Sequence, residues 1–311
     1  ARKEVEEVHP GCIWLAESVH AQFIAYLRSV GIPAASDSEL YRAFDICYDY
    51  DIFTRLEDYL QGKGTLERYL DSVNSQEYIY PDNYSKLRFL ENHDKPRCVN
   101  YFFKNVDTVK AAKVIAAILL TMRGTPFIFE GQELGMTNVA WDSIDAYNDI
   151  SAHAQFDFAI NEGFTAAEAL EFVNHFSRDN ARTPMQWNAD KNAGFSTGKT
   201  WLPVNENYKT LNAAAEEKIS DSVLNWYIKL AKLRADNKEL TQGDYKLLLA
   251  DSEEIFAFSR SLNGKTFLTA VNFSDKKVAL PKDFTDKKII LDSESNFDKN
   301  FLKPLEARIL K

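Results

Sequence analysis

Lys86-Leu-Arg-Phe-Leu90, Glu91-Asn-His-Asp94, Asp107-Thr-Val-Lys-Ala-Ala-Lys-Val-Ile-Ala-Ala-Ile-Leu-Leu-Thr-Met122, Arg123-Gly124, Thr125-Pro-Phe-Ile-Phe129 and Glu130 follow one another along the middle of the chain. The first five residues form a short apolar run suited to a buried strand. Asp107 is a helix N-cap, and the residues from Thr108 to Met122 are apolar on most sides, which predicts a buried helix. Gly124 ends it, and 125–129 is a second buried strand. Strand, helix and strand in this order make a βα unit of a parallel sheet. Charged residues follow each strand, Glu91 to Asp94 after one and Glu130 to Glu133 after the other. In parallel α/β folds the carboxyl ends of the strands are where chemistry collects.

The same alternation extends upstream. Pro10-Gly11 introduces a candidate strand, Cys12 to Ala16, which ends at Glu17. His20 to Val30 has helical spacing and stops at Gly31 and Pro33. Phe44 to Tyr48 is another candidate strand. Ile52 to about Leu70 reads as helix, interrupted by Gly62 and Gly64. Downstream, residues 137–219 form a long polar excursion, and a segment of that length within a compact domain is usually functional. Ser220 is the expected cap of an amphipathic helix carrying Val223, Tyr227, Leu230 and Leu233. From Gly243 the pattern changes to strands: Tyr245 to Leu249, Ile255 to Ser259, Thr266 to Phe273, Val278 to Leu280, Ile289 to Leu291 and Ala307 to Leu310. Turns such as Asn263-Gly264 separate them. The expected organisation is an α/β unit over 1–240 and a small antiparallel β domain over 241–311.

Composition excludes several classes of function. The 311 residues are 45% hydrophobic and 27% charged, as in ordinary globular domains. The formal net charge of −9 gives no electrostatic footprint for nucleic acid or an anionic membrane surface. The longest apolar run, Val114 to Leu120, is too short to span a bilayer. Cys12, Cys47 and Cys98 are odd in number and include no CxxC pair, which argues against a disulfide scaffold or zinc ribbon and for a reducing, cytoplasmic setting. The five histidines lack metal-ligand spacing, no GxSxG elbow occurs, and Gln61-Gly-Lys-Gly-Thr65 is a helix break rather than a phosphate loop.

The carboxylates at strand ends are the better lead. Glu17, at the end of an apolar strand, is expected to be partly buried with a raised pKa, as suits a general acid, or else to be a solvated strand terminus. His93 beside Asp94 suits a grip on polyol hydroxyls, or else a turn held by Asn92 and Asp94. Arg178 and Arg182 flank Asp179, either as a structural ion-pair knot or as a clamp for a ligand hydroxyl or carboxylate.

Taken together, Phe89-Leu-Glu-Asn-His-Asp-Lys-Pro-Arg97, the segment Met122 to Asn138, and Ser177 to Trp187 followed by Asn192-Ala-Gly-Phe-Ser-Thr-Gly198 resemble glycoside hydrolase family 13, the α-amylase family. They are most similar to its oligo-α-1,6-glucosidase and dextran-glucosidase branch. Ile13-Trp-Leu-Ala-Glu-Ser-Val-His20 sits where that family carries its acid/base glutamate, with Ala16 in place of the usual Gly. Glu130 stands where the branch more often has Gln. The resemblance implies the C-terminal half of a (β/α)8 TIM barrel, strands five to eight, followed by a small antiparallel β-sandwich domain. It implies Glu17 as general acid/base and Asp94 as the third carboxylate, which binds glucose hydroxyls and stabilises the oxocarbenium-like state. It also implies His93 as a donor to the same sugar, and Arg178, or failing that Arg182, as the residue holding the non-reducing end.

The family's nucleophile is an Asp after strand four in a stretch like GFRxD, and no such stretch occurs in the sequence. The resemblance therefore implies a fragment of a longer enzyme that is inactive alone. The alternatives are a half that pairs with an N-terminal half-barrel chain, or a self-associating domain. Residue 1 is Ala and the first Met is Met122, which favours the fragment. The expected substrate is an isomalto- or malto-oligosaccharide, cleaved by a retaining α-glucosidase. An α-1,4-glucosidase, a trehalose-6-phosphate hydrolase, an α-amylase or a non-catalytic carbohydrate-binding or partner subunit are the alternatives. No cofactor and no metal are expected.

Overall fold

Four short parallel strands lie side by side in chain order: β1 (Leu15–Ala16), β2 (Ile46–Tyr48), β3 (Lys86–Arg88) and β4 (Thr125–Pro126). A computed structural model supplies this description, which covers residues 1–17, 26–32, 37–79 and 85–311. The first half of the helix expected from His20 lies outside the described residues. The strands are the four read from the sequence, each trimmed to the residues that share ladder hydrogen bonds. Because all four run the same way, their carboxyl ends open on one side.

The helices between the strands follow their sequence signals. Asp49 caps Tyr50–Leu60, the chain breaks at Gly62 and Gly64, and Leu66–Ile79 resumes. Gly62 takes φ +72°, a left-handed conformation that ends a helix at little cost for glycine. Asp107 caps Thr108–Thr121 through the N–H groups of Val109 and Lys110. Every residue from Ala111 to Thr121 is buried, as the all-round apolar pattern requires.

The excursion over 137–219 is not one polar loop. It holds a pair of helices, Ile150–Asn161 and Ala166–Phe176. The second begins with a capping box in which Thr165 and Glu168 satisfy each other's backbone N–H groups. The amphipathic helix beyond is capped by Ser222 and not Ser220. The Ser222 hydroxyl accepts from the Asn225 N–H, while Ser220 offers only its carbonyl, to Lys229 Nζ at 2.9 Å.

The C-terminal residues form a five-stranded antiparallel sheet in the order β5 (Asp244–Leu248), β6 (Ile255–Leu262), β7 (Lys265–Asn272), β11 (Glu306–Leu310), β9 (Ile289–Asp292). A second, two-stranded sheet pairs β8 (Val278–Ala279) with β10 (Phe301–Leu302). Residues alternate along β6. Phe256 and Phe258 join the large core shared with the Thr108–Thr121 helix and the parallel strands. Ile255 and Ala257 join Leu280, Phe284 and Leu302 on the opposite face.

Two buried guanidinium groups fasten this sheet and its neighbouring helix to the parallel layer. The carbonyls at a helix C-terminus have no partner within the helix. Here Arg234, on the Val223–Asp236 helix, donates to Leu120 O at 3.0 Å, Met122 O at 3.2 Å and Gly124 O at 2.6 Å. Arg260, on β6, donates to Thr121 O at 3.1 Å and Leu240 O at 2.8 Å. Burial pulls Arg234 down to about 10 and Arg260 to about 9, so both remain cations at neutral pH. Cys12, Cys47 and Cys98 form no disulfide. Among the described residues no helix is long and apolar enough to cross a membrane.

Candidate active site

The carboxyl ends of β1 and β3 bring three sequence-predicted residues together. The reactive atoms of Glu17, His93 and Asp94 all lie within 4.8 Å of one another. His93 Nε2 is 3.8 Å from Glu17 Oε1 and 3.4 Å from Asp94 Oδ2. Glu17 departs from expectation in its burial, since half of its side chain is exposed. It follows β1, which among the described residues is an edge strand of the sheet.

The structure shows the turn expected of Asn92 and Asp94 after β3. Asn92 Oδ1 accepts the Asp94 N–H at 2.9 Å and makes the turn. The Asp94 carboxylate is left to face the arginines. Its Oδ1 accepts from Arg178 Nη1 at 3.2 Å and from Arg182 Nη2 at 2.9 Å. Arg182 Nε also donates to His93 O at 2.9 Å, so one guanidinium fixes both residues of the turn.

Arg178 and Arg182 join Asp94, Asp149 and Asp179 in one ion-pair cluster, which is not centred on Asp179. Arg182 Nη1 approaches Asp179 Oδ1 only to 3.7 Å. Asp179 is instead turned toward the start of the Ile150–Asn161 helix, where its Oδ2 accepts the N–H groups of Asn148 at 2.7 Å and Asp149 at 2.8 Å. Arg178 grips the Asp149 carboxylate with one edge, Nε to Oδ2 at 2.6 Å and Nη2 to Oδ1 at 2.7 Å. This fork holds the Asp149 carboxyl below the usual carboxylate range and pushes Arg178 up. Asp149 was not among the sequence candidates. Asp149-Ile-Ser reads as an ordinary N-cap, and it does cap the helix, accepting from Ser151 N at 3.0 Å.

Tyr48 and Tyr50 also escaped the sequence reading. Burial raises both phenols first, and the charges of Glu17 and Asp94 raise them further, which places both hydroxyls in the field of the site. Their rings stack with centroids 5.7 Å apart, and Tyr48 and Tyr50 each meet Phe89 edge-on at 5.0 Å. The floor beneath the carboxylates is therefore aromatic. The lone signal was the Tyr-x-Tyr spacing at the end of β2.

Other strand-end carboxylates serve the structure. Glu91 is buried, its Oε2 3.0 Å from Arg97 Nη1 and its Oε1 accepting from Cys98 N at 2.8 Å. Asp49 is paired with buried Arg88 and accepts from Gln76 Nε2 at 2.7 Å. Burial raises Glu133, which accepts the Gly131 N–H at 2.9 Å. Asp94 lines a groove of about 390 Å³ together with Asp149, Ser151, Phe172 and Arg178. Glu17, His93 and Asp94 are also the one group among the described residues whose spacing could admit a cation.

Parallel strands with charged residues gathered at their carboxyl ends define an α/β architecture. Residues 2–243 match the alpha amylase, catalytic domain, and the chain belongs to that family. It is 39% identical over 283 residues to a probable oligo-1,6-glucosidase 3 of Bacillus subtilis (strain 168), covering 88% of this chain and 47% of that protein. It is 40% identical over 184 residues to the trehalose-6-phosphate hydrolase of Escherichia coli (strain K12), covering 59% of this chain and 33% of that one. Among solved structures, the isomaltulose synthase of Klebsiella sp. LX3 superposes with a TM-score of 0.78 at 31% identity, over 90% of this chain and 54% of its own. The chain spans about half the length of the relatives it matches.

Proposed function

We propose that this chain carries the acid/base side of a retaining α-glucosidase site acting on short α-glucans, with isomalto-oligosaccharides as the preferred class. The observation that carries the reading is the meeting of Glu17, His93 and Asp94 at the ends of parallel strands, with two guanidinium groups on Asp94. In this reading β1 to β4 are strands five to eight of the barrel. Support comes from their parallel order and from a match confined to about half of each relative.

Glu17 is the general acid/base. It gives its proton to the glycosidic oxygen as the bond breaks, then takes one from the attacking water. A retaining mechanism also needs a nucleophilic carboxylate about 5–5.5 Å from the acid. Asp94 is close enough but chemically unsuited, because two cations on Oδ1 stabilise the anion and blunt its attack. Its role is to bind ring hydroxyls and to offset the positive charge that develops at the anomeric carbon. His93 donates to the same sugar, and Arg178 or Arg182 holds its non-reducing end. The nucleophile is supplied from outside these 311 residues, so the chain alone binds sugar without turning it over. An odd number of cysteines with no CxxC pair supports a reducing compartment such as the cytoplasm.

Calorimetry of this chain with isomaltose and maltose tests the binding half of the proposal. Binding that Asp94→Asn abolishes supports it; unchanged affinity in that variant removes Asp94 from the site. In the enzyme that carries this chain, Glu17→Gln should lower hydrolysis of isomaltose by about 10²–10⁴-fold. A wild-type rate would sink the assignment of Glu17.

A further inference from the structure

We infer that Asp149 is a positioning residue, holding Arg178 by one edge so that the guanidinium cannot close over both oxygens of Asp94. The inference rests on the sugar-binding role proposed for Asp94 and deepens it. A free arginine beside a carboxylate favours two parallel bonds, one to each oxygen. Arg178 makes that fork with Asp149, through Nε and Nη2. Only Nη1 is left to reach Asp94, at 3.2 Å and on Oδ1 alone. Arg182 donates to the same Oδ1. Asp94 Oδ2 takes neither guanidinium and faces His93 Nε2 at 3.4 Å. One oxygen of Asp94 is thus spent on orientation and the other is open to a ligand hydroxyl.

The anchor is itself anchored. Asp149 is almost fully buried, with 6% of its surface exposed, and the neighbouring Asp179 carboxylate grips its backbone N–H. Arg178 and Asp179 are consecutive in the 3₁₀ turn Arg178–Asn180. One holds the side chain of Asp149 and the other holds its backbone. Neither the turn nor the helix start can shift without the other, and the distance from Arg178 to Asp94 is fixed by both.

Asp149→Asn separates this role from helix capping, because Asn caps as well as Asp but has one acceptor and no charge. Isomaltose affinity, measured by NMR titration of this chain, should fall about tenfold in D149N, the effect of losing one charge-assisted anchor. The same substitution in an Arg178→Gln background should have no further effect. R178K keeps the charge but cannot fork, and should match D149N; it decides the question if D149N does not fold. Wild-type affinity in the folded variant, or an equal loss with and without Arg178, overturns the inference. If the wild-type chain binds no isomaltose, the proposed ligand falls, and the Arg178 Nε–H resonance judges the positioning by itself. A slowly exchanging signal in wild type that is lost in D149N upholds it, and an unchanged signal refutes it.

Discussion

Glu91→Gln should be among the most damaging neutral substitutions in this protein, although Glu91 lies three residues from Asp94. Both oxygens of Glu91 are committed, one to Arg97 Nη1 at 3.0 Å and one to Cys98 N at 2.8 Å. A glutamine offers one acceptor and one NH₂ group, so whichever way it turns, a donor meets a donor. Arg97 is fully buried, and its charge would lose its one carboxylate partner. Breaking a buried pair by removing one member costs about 3–5 kcal/mol. Arg97 keeps the Glu130 carbonyl at 2.7 Å and a longer contact to Ala181 O at 3.4 Å, so the lower end, about 3 kcal/mol, is expected. That corresponds to a fall in Tm on the order of 6–12 °C. Urea unfolding followed by both far-UV circular dichroism and tryptophan fluorescence would measure it, with coincident transitions as the check on two-state behaviour. The double variant Glu91→Leu with Arg97→Met should cost less than the two single changes added together, because no orphan charge remains. A loss below about 1 kcal/mol in E91Q would refute the structural role of this pair, and would reopen Glu91 as a residue available for chemistry.

Three further outcomes are expected. Gly131→Ala should destabilise by about 1–2 kcal/mol, since φ is +86° and the added Cβ would press on Met136 Sδ; thermal melts would show it, and an unchanged Tm would mean the loop relaxes freely. Burial pushes the Glu306 carboxyl up to about 7 and raises Asp292 as well, on either side of fully buried Arg308. A carboxyl with a raised pKa binds its proton more tightly when folded, so this stability is complete below the ordinary glutamate range near 4.3 and is lost as pH rises through about 7. Glu306→Gln should flatten the fall in Tm between about pH 4 and 8, a window that spans both values, and a slope equal to wild type would show that another group titrates. Chelation with EDTA should leave Tm unchanged, whereas a marked loss would reassign Glu17, His93 and Asp94 to a cation.

The four strands were legible because each is a short apolar run closed by a turn signal or a charge, and the break at Gly62 to Gly64 because glycine is costly inside a helix. The pair of helices inside 137–219 was not. Ile150–Asn161 buries little, with Ile150 82% and Phe158 67% exposed, so it lacks the one-sided apolar stripe by which a helix is recognised. Glu17, His93, Asp94, Arg178 and Arg182 could be named because their types and order resemble a family pattern; their types alone left structural alternatives open. Asp149 could not, because an acid before a helix is the commonest of caps, and its grip on Arg178 exists only once residues 29 apart in sequence are folded together. Glu91 and Asp49 show the converse. An acid at a strand end looks functional in sequence, and only the arginine buried against it says otherwise.

The guanidinium groups of Arg234 and Arg260 carry a consequence for how the site is tuned. They seize the chain from Leu120 to Gly124, and the residue after Gly124 opens β4. The origin of that strand is therefore surveyed from the far side of the molecule, by a strand and a helix that contribute nothing to the groove. A substitution that lets β6 slide would carry β4 with it and disturb Glu130, whose carbonyl braces Arg97 beneath the His93 and Asp94 turn. Drift in the C-terminal sheet would be felt as a change in the geometry of that turn.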